Sequence, residues 1–365
     1  MEGKLKKVIV TVSNDIVTDQ RMARICNTLV QNGYQLEIIG RVLKTSPNLT
    51  PKTYKQTRLK LWFNKGIAFY VELNLRLFLK LLFQKADLIY TVDADTLVAG
   101  SLIKIFKKVK LVFDAHELFS EVPELEGRTF KKKLWQIVEK NGIQRFADLR
   151  ITVSESVALH YKTLYSKSFI VVKNCPLKLT YQPKETREPY ILYQGALNEG
   201  RGLEALIMAS KHIDMSVLIA GSGDLDEKLK TIVKENGVEK KVLFLGKLLP
   251  EKLIEITANA WLGYNLLEKK GLSYYYSLSN KTFDYIQAGI PQLMPSFPEY
   301  IQLNQKFEIG VLTEPLAESI VTTVNSLIKN HELYLHLKQE SLKAAKIYVW
   351  ENEEEKLVNH LRALH

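Results

Sequence analysis

Three ionisable side chains, Asp114, His116 and Glu117, follow directly after a short apolar run in the segment LVFDAHELFSE. The run 109–113 is typical of a buried strand, so these side chains are expected at the carboxyl end of that strand. A histidine there can donate, accept or stabilise charge near neutral pH, which makes His116 a catalytic candidate. The alternative is that Asp114 and His116 only tie the following loop to backbone groups.

A glycine-rich turn in YQGALNEGRGLEAL separates a predicted strand from a predicted helix, with Arg201 just before the helix. The amino end of a helix presents unpaired amides, and an arginine beside it adds bidentate recognition of phosphate. Gly195 and Arg201 are therefore candidates for holding a diphosphate. A plain turn that needs flexible residues at Gly195, Gly200 and Gly202 would show the same pattern.

Two further transitions from strand to loop, IAGSGDLDEKL and VLFLGK, contribute three glycines, Gly221, Gly223 and Gly246. Backbone can approach a flat base or a ribose closely only where no side chain intervenes. These glycines are therefore candidate positions for binding the nucleoside of a donor.

The segment SLSNKTFDYIQAGIP predicts a second helix start that binds anions. Ser279 is predicted to cap the helix, and Asn280 and Lys281 lie in its first turn. Asp284, one turn later, is placed to accept hydrogen bonds from ribose hydroxyls. The alternative for Asp284 is an ordinary surface acid near a helix start.

No metal site is predicted. Asp93 and Asp95 form a DxD pattern of the kind that holds a metal on a nucleotide diphosphate, but they open a predicted helix, where helix capping is the favoured interpretation. The phosphate loop GxxxxGKS, the dinucleotide fingerprint GxGxxG after the first strand and the zinc motif HExxH are all missing. The seven histidines form no ligand cluster in the sequence.

Apolar runs of strand length alternate with amphipathic stretches of helix length along nearly the whole chain, which predicts mostly parallel, doubly wound α/β sheets. The segment 176–189, with three prolines, interrupts the alternation and is predicted to be a linker. We therefore predict two Rossmann-like domains facing a central cleft. Their predicted ranges are 1–180 and 181–345, followed by a terminal helix within 346–365.

Composition indicates an ordinary globular protein. The chain has 365 residues, 46% of them hydrophobic, with 51 Lys and Arg against 40 Asp and Glu. Its apolar stretches are shorter than about 18 residues, so a membrane-spanning helix is not expected. The first apolar run is too short for a signal peptide. Its two cysteines, Cys26 and Cys175, fit a reducing compartment, and a cytoplasmic location is expected.

Residues 41–85 carry most of the net positive charge, with ten basic side chains against one acid, Glu72. The same window holds large aromatic residues, including Trp62 and Phe63. Cations mixed with aromatics suit an anionic membrane surface, and they also suit nucleic acid. The alternative is an ordinary helix over residues 66–84 with its apolar face in the core and its lysines in solvent.

Taken in order, the motifs resemble those of a known family of enzymes. The motifs are VSNDIVTDQRMARICNTLVQNGYQLEIIGR, VDADTLVAG, FDAHELFSEVP, VSES, YQGALNEGRGLEAL, GSGDL and SLSNKTFDYIQAGIP. This order resembles the retaining glycosyltransferases of the GT-B fold, and especially the bacterial members of glycosyltransferase family 4 that build surface polysaccharides. The resemblance extends to a helix around residues 350–364 that returns to the first domain.

The resemblance implies a nucleotide-sugar donor in the second domain, an acceptor in the first and transfer with retention, without a metal or other cofactor. On this basis Gly195 and Arg201 match positions that hold the donor phosphates, and His116 matches the histidine near the reacting sugar. The helix start under the diphosphate matches Ser279, Asn280 and Lys281. On the acceptor side we place Asn14, Asp15, Asp114 and Glu117.

Two departures from the family pattern concern the donor. Ala196 stands where the family often has Arg, and Tyr276 and Asp284 stand where it often has two glutamates. Diphosphate binding is then expected to depend more on Arg201, Lys281 and backbone amides.

The leading prediction is a glycosyltransferase that acts on a glycan or lipid-linked acceptor, with no nucleic-acid partner and with peripheral attachment to the inner membrane face. The alternatives are a sugar-nucleotide epimerase of the same fold and a basic nucleic-acid-binding protein.

Overall fold

The computed structural model describes residues 6–17, 19–179 and 189–364. They form two compact units: unit 1 comprises residues up to 173 together with those from 353 onward, and unit 2 comprises residues 174–352. Both cysteines are buried and neither forms a disulfide. The predicted boundary at 180/181 and most of the predicted linker lie outside the described residues. The predicted cleft between the domains stays a prediction.

The described part of unit 1 contains a seven-stranded parallel sheet. Its strands are β1 Lys7–Thr11, β2 Gln35–Val42, β3 Lys55–Lys60, β4 Leu88–Val92, β5 Lys110–Ala115, β6 Leu149–Thr152 and β7 Ile170–Val171. Their order across the sheet is β3-β2-β1-β4-β5-β6-β7. The central strands β1, β4 and β5 are mostly apolar and almost wholly buried, as expected where helices cover both faces of a parallel sheet.

Five helices surround this sheet in the described residues. They are α1 Gln20–Gln31, α2 Gly66–Leu82, α3 Asp93–Phe106, α4 Thr129–Asn141 and α5 Glu155–Tyr165. Helix α1 begins where the side chain of Asp19 accepts a hydrogen bond from the Met22 amide, and its apolar face, including Ile25 and Leu29, is buried. Strand β3 lies inside the basic window, where the sequence predicted no strand.

The described part of unit 2 has a six-stranded parallel sheet in the order β10-β9-β8-β11-β12-β13. Its strands are β8 Tyr190–Gln194, β9 Ser216–Ala220, β10 Val242–Gly246, β11 Leu262–Tyr264, β12 Gln292–Met294 and β13 Gly310–Leu312. Its helices are α6 Leu203–Ser210, α7 Asp226–Glu235, α8 Pro250–Ala258, α9 Gly271–Tyr275, α10 Asn280–Ala288, α11 Pro298–Lys306, α12 Ala317–Lys329 and α13 His331–Ala345. The last helix, α14 Trp350–Arg362, begins in unit 2 and continues into unit 1.

Each sheet reverses its strand order at one place, between β1 and β4 in unit 1 and between β8 and β11 in unit 2. Loops at the carboxyl ends of strands beside such a reversal form crevices in which doubly wound sheets bind ligands. The predicted fold class of two Rossmann-like α/β domains is therefore confirmed. The candidate side chains are to be sought in the loops that follow these strands.

Candidate functional site

Three glycine-containing loops follow β8, β9 and β10 and are packed backbone against backbone. The Gly195 amide donates to the Ala220 carbonyl at 2.9 Å, and the Gly221 amide donates to the Gly246 carbonyl at 2.8 Å. A Cβ on Gly221 would lie 1.8 Å from the Gly195 carbonyl oxygen, so no side chain fits there. At Gly223 a Cβ would meet Asn198 Oδ1 at 2.4 Å. Loop packing alone therefore requires two of the predicted donor-site glycines.

The turn from residue 195 to residue 202 is held in place from outside. The hydroxyl of Tyr193 donates to the Ala196 carbonyl at 2.6 Å, and the hydroxyl of Tyr264 donates to the Gly202 carbonyl at 2.6 Å. Gly202 has a φ of 63° and occupies the N-cap position of α6, where a left-handed backbone favours glycine. The loop is thus a fixed surface before any ligand binds.

Two basic side chains beside this turn lack hydrogen-bond acceptors. Lys281 is 7% exposed, and among the described residues nothing accepts a hydrogen bond from its Nζ or from the Nε of Arg201. Burial and the nearby charge of Arg201 lower the pKa of Lys281 well below its ordinary value, and Asp284 opposes this only in part. An anion bound here would interact with both groups and would favour the protonated, charged form of Lys281.

The start of α10 differs in one respect from its prediction. Ser279 occupies the N-cap position, but its hydroxyl donates to Asn265 Oδ1 at 2.7 Å and makes no capping hydrogen bond. The predicted side-chain cap is therefore wrong: the hydroxyl is directed to Asn265, in another part of unit 2, and not to an amide of the first turn. Without that cap, the first-turn amides at Asn280 and Lys281 stay available to an anion. The Asn280 side chain accepts a hydrogen bond from Asn174 at 2.7 Å.

Asp284 lies one turn further along α10 and is already engaged. Its Oδ2 accepts a hydrogen bond from Gln194 at 2.7 Å, and Gln194 Oε1 accepts one from the Thr257 hydroxyl at 2.6 Å. This chain of bonds fixes the end of β8 relative to α10. A role for Asp284 toward ribose hydroxyls stays a prediction.

In unit 1 a buried carboxylate, Asp114, organises the end of β5. Arg21 donates to both of its oxygens, at 3.1 and 3.2 Å, and the Tyr90 hydroxyl donates to Oδ2 at 2.8 Å. Burial raises the pKa of Asp114, but Arg21 and then His116 outweigh burial and hold that pKa well below its usual range. Arg21 also donates to the Val172 carbonyl at 2.9 Å, so it ties α1 to two other elements.

The imidazole of His116 sits at the edge of this network. Its Nε2 lies 3.0 Å from Arg21 Nε and 3.1 Å from Asp114 Oδ2. A neutral ring accepts from Arg21 at this nitrogen, whereas a protonated ring donates from it to Asp114. Burial lowers the pKa of His116, but Asp114 and Asp93 outweigh it and raise the pKa to about 9. The other ring nitrogen, Nδ1, lies 3.9 Å from Asp93 Oδ2, so the ring stands between two carboxylates.

The DxD pair lies beside His116 rather than in a capping position. Asp93 and Asp95 are in the first turn of α3, whose N-cap residue, Val92, provides no side-chain cap. Instead Asp93 Oδ1 accepts the His116 amide at 2.8 Å, from a strained left-handed backbone with φ of 55°. Burial raises the pKa of Asp93 to about 8 and that of Asp95 to about 6. Within the described residues, no three His, Cys, Asp or Glu side chains come together as a potential metal site.

Two family models match the chain, one in each half. The model described as "Glycosyltransferase Family 4" matches residues 19–174, and the model described as "Glycosyl transferases group 1" matches residues 180–344. The two matches are separated only by residues 175–179. The chain is a family 4-like glycosyltransferase.

Solved structures of other proteins share the fold of this glycosyltransferase over nearly its whole length. Sucrose-phosphate synthase from Thermosynechococcus elongatus matches with a TM-score of 0.81 at 15% identity, over 98% of this chain and 99% of that one. HepE from Anabaena in complex with UDP-glucose has a TM-score of 0.78 at 14% identity, over 98% and 100%. WaaG, a glycosyltransferase involved in lipopolysaccharide biosynthesis, has a TM-score of 0.76 at 13% identity, over 96% and 98%. These likenesses establish the GT-B fold. No curated protein matches by sequence.

The glycosyltransferase has further predicted acceptor-side residues at the ends of β1 and β5. Asn14 donates to Asp19 Oδ2 at 2.9 Å, and Asp15 is buried and forms an ion pair with Arg58 at 3.1 Å. Glu117 is exposed beside the His116 cluster. Asp15 is therefore committed to an internal contact, whereas Glu117 faces solvent.

Sequence reasoning missed four side chains that surround the predicted residues: Arg21, Tyr90, Tyr193 and Tyr274. Arg21 carried a weak signal, since a basic residue that falls on the buried face of an amphipathic helix needs a partner. The three tyrosines looked like ordinary core residues of their segments.

Helix α2 of the glycosyltransferase is apolar on two faces. One face is buried and includes Phe69, Leu73 and Leu77. The other is a stripe of residues spaced four apart and at least 45% exposed: Phe63, Ile67, Val71, Leu75, Leu79 and Phe83. The prediction of an apolar face in the core therefore accounts for only one of the two apolar faces of this helix.

None of the helices in the described part of the chain has the length and apolar character needed to cross a membrane.

Proposed function

We propose that this glycosyltransferase moves a sugar from a nucleotide diphosphate-sugar donor, bound in unit 2, to a glycan or lipid-linked acceptor. The observation that carries the proposal is the pair of cations, Lys281 and Arg201, that lie beside the glycine turn without an acceptor in the described residues. Buried cations are ordinarily paired, so the buried Lys281 without an acceptor, with Arg201 beside it, indicates a site prepared for an anionic ligand. A diphosphate supplies the required charge.

The chemical step follows from the same groups. Lys281, Arg201 and the first-turn amides of α10 stabilise the negative charge that grows on the leaving diphosphate. The acceptor hydroxyl attacks the face from which the diphosphate departs and gives its proton to the leaving phosphate oxygen, so the anomeric configuration is retained. These fixed positive groups take the part that a metal ion plays in other sugar transferases, and the proposed reaction uses neither a metal nor another cofactor.

In unit 1 we assign the acceptor side to the cluster around His116. The His116 ring, which is partly exposed, and the exposed Glu117 are the polar groups that we place toward a sugar hydroxyl. The raised pKa of His116 favours a protonated ring, which donates a hydrogen bond and stabilises negative charge. We therefore assign His116 a part in binding and charge stabilisation rather than in proton abstraction.

We further propose that the enzyme works in surface-polysaccharide synthesis at an anionic membrane. The exposed stripe of α2 continues into Trp62, which is 82% exposed, and Phe63. Their amides both donate to the Glu72 carboxylate at 2.9 Å, and Arg76 lies over the Trp62 ring at 4.9 Å. The two rings are thus held outward by the one acid of the basic window.

The cations that remain to meet lipid headgroups are fewer than the sequence suggested. Carboxylates already engage Arg58, Arg76, Lys55 and Lys80. Lys60 and Lys65 are exposed on either side of Trp62. Each basic residue near an anionic leaflet contributes about 1 kcal/mol, and the aromatic stripe adds apolar burial in the interface.

Vesicle co-sedimentation tests the membrane proposal. We expect wild-type protein to bind anionic vesicles, less at high salt, and to bind neutral vesicles weakly. Lys60→Glu with Lys65→Glu should reduce binding, as should Val71→Ser with Leu75→Ser, whereas reversal of the exposed Lys211 and Lys329 should not. Equal binding by all variants would refute this surface. Concentration-dependent dimerisation that the Val71 and Leu75 changes abolish would assign the stripe to a second copy instead.

Thermal-shift titration and product analysis test the catalytic proposal. The panel contains nucleoside diphosphates and begins with UDP, which Anabaena HepE binds. A ligand at 100 times its dissociation constant should stabilise the fold by about 2.7 kcal/mol. A donor sugar that reaches product only with acceptor present supports transfer, whereas a new sugar nucleotide formed without acceptor would indicate the epimerase. RNA binding without any nucleotide response would indicate the nucleic-acid-binding alternative.

A further inference from the structure

Lys281 and Arg201 each lie over a tyrosine ring. Lys281 Nζ is 4.2 Å from the centroid of the Tyr193 ring, and the guanidinium carbon of Arg201 is 4.8 Å from the centroid of the Tyr274 ring. Both distances fall within the range of cation–π attraction. The two cations therefore have rings where buried cations ordinarily have carboxylates.

Neighbouring carboxylates are engaged elsewhere. Lys270 pairs with Glu199 at 2.6 Å and with Glu268 at 3.2 Å, and Asp284 accepts a hydrogen bond from Gln194. A carboxylate on Lys281 or Arg201 would neutralise the charge and would have to be displaced by a diphosphate. A ring attracts the cation without carrying net charge, so it fixes the cation and leaves the charge for a ligand.

Both rings are themselves fixed. Tyr193 is fully buried on β8, and its hydroxyl donates to the Ala196 carbonyl at 2.6 Å. The Tyr274 ring packs on the glycine turn, where a Cβ on Gly200 would lie 3.1 Å from its Cε2. A ring held on rigid backbone limits where the cation above it can go.

We propose that Tyr193 and Tyr274 are positioning residues that hold Lys281 and Arg201 in place for the donor diphosphate while leaving both cations unneutralised. The proposal rests on the donor site assigned above and adds to it the groups that organise its charge. It also accounts for how the site manages with Ala196, since the two remaining cations are held in defined places.

Tyr274 provides the cleaner test, because phenylalanine keeps its ring and leucine removes it. With UDP as the probe, Tyr274→Phe should bind within about twofold of wild type, and Tyr274→Leu should bind about tenfold more weakly. Tyr274→Met serves as a second variant without a ring if the leucine variant folds poorly. Tyr193→Phe should likewise keep most of the affinity, although it loses the bond to Ala196.

A double-mutant cycle shows whether Tyr274 acts through Arg201. In an Arg201→Met background, Tyr274→Leu should cause no further loss of UDP affinity. The proposal is overturned if Tyr274→Leu binds UDP like wild type, or if its full effect persists without Arg201. These outcomes are distinct from failure of the donor site: if Arg201→Met and Lys281→Met bind UDP like wild type, the diphosphate assignment itself is wrong.

Discussion

Two buried groups of basic side chains in this glycosyltransferase have opposite surroundings. In unit 1, Arg21 is 4% exposed and donates to Asp114 and to a backbone carbonyl. In unit 2, Lys281 is nearly as buried, but neither it nor Arg201 Nε has an acceptor among the described residues. Arg21 and Lys281 are similarly buried, whereas the supply of partners differs.

This difference distinguishes a buried cation that is part of the folded network from a cation that is available to bind a ligand. A buried cation with all its donors satisfied strengthens the fold around it, and its removal leaves a carboxylate without a partner. A buried cation without acceptors lowers stability until a ligand arrives, which is the usual relation between stability and activity at a binding site. The following predictions test this contrast, from the largest expected effect to the smallest.

Arg21→Met should lower the free energy of unfolding by about 3–5 kcal/mol, because the buried Asp114 loses its paired guanidinium and keeps only His116 and the Tyr90 hydroxyl as partners. Urea unfolding followed by circular dichroism measures the change. Arg201→Met is the matched control and should cost less than about 1 kcal/mol, since no carboxylate loses a partner. If both variants lose a similar free energy of unfolding, the proposed difference between Arg21 and Arg201 is wrong.

Lys281→Ala and Arg201→Ala should each reduce turnover about a hundredfold, the effect of losing one donor to the transition state, or about 3 kcal/mol. Initial rates with donor and acceptor measure this, and Lys211→Ala at the end of α6 is the control. The melting temperature of the Lys281 variant without ligand should stay level or rise. If both variants turn over like wild type, the assignment of Lys281 and Arg201 to the donor diphosphate is wrong.

Stability should fall as pH rises from 7 to 9, by up to about 2 kcal/mol, because of His116. Its pKa is raised from 6.5 to about 9, so its stabilising effect is complete below 6.5 and is lost as pH rises through 9. Urea unfolding at several pH values should show a flatter profile for His116→Gln.

His116→Ala should fold normally and transfer sugar about tenfold more slowly, because Arg21 and Asp114 remain paired without it while a donor to the substrate is lost. Steady-state rates at saturating and at low acceptor concentration separate the effect on kcat from that on KM. Unchanged transfer would leave His116 with only the structural role of holding the loop after β5.

Chelators should leave activity unchanged, the smallest effect of the series, because Lys281 and Arg201 take over charge stabilisation from a metal. Rates with and without EDTA, followed by addition of manganese, measure this. If EDTA abolishes activity and manganese restores it, the reaction needs a metal, and Asp93 and Asp95 become the candidates to bind it.

The fold could be predicted because the sequence patterns that indicate its strands, helices and turns are local. Alternating strand and helix periods predicted both parallel sheets, and the glycines before α6 marked a turn whose backbone only glycine adopts easily. Lys281 and Arg201 were also within reach of the sequence, since each lies beside the start of a helix. Strand β3 was missed because its polar residues, Lys55–Lys60, give no apolar run and form a strand only by pairing with β2.

Which side chains pair with one another was decided by the tertiary structure alone. Residues 21, 90, 93, 114 and 116 form one network although almost a hundred positions separate the first from the last, and no local pattern connects them. The same reason explains why Ser279 caps nothing, since Asn265 takes its hydroxyl. Sequence determined which side chains carry charge and, apart from β3, which segments form strands and helices, because these depend on residue type and local spacing. Which charges are neutralised and which stay available to a ligand depends on neighbours that only the folded chain supplies.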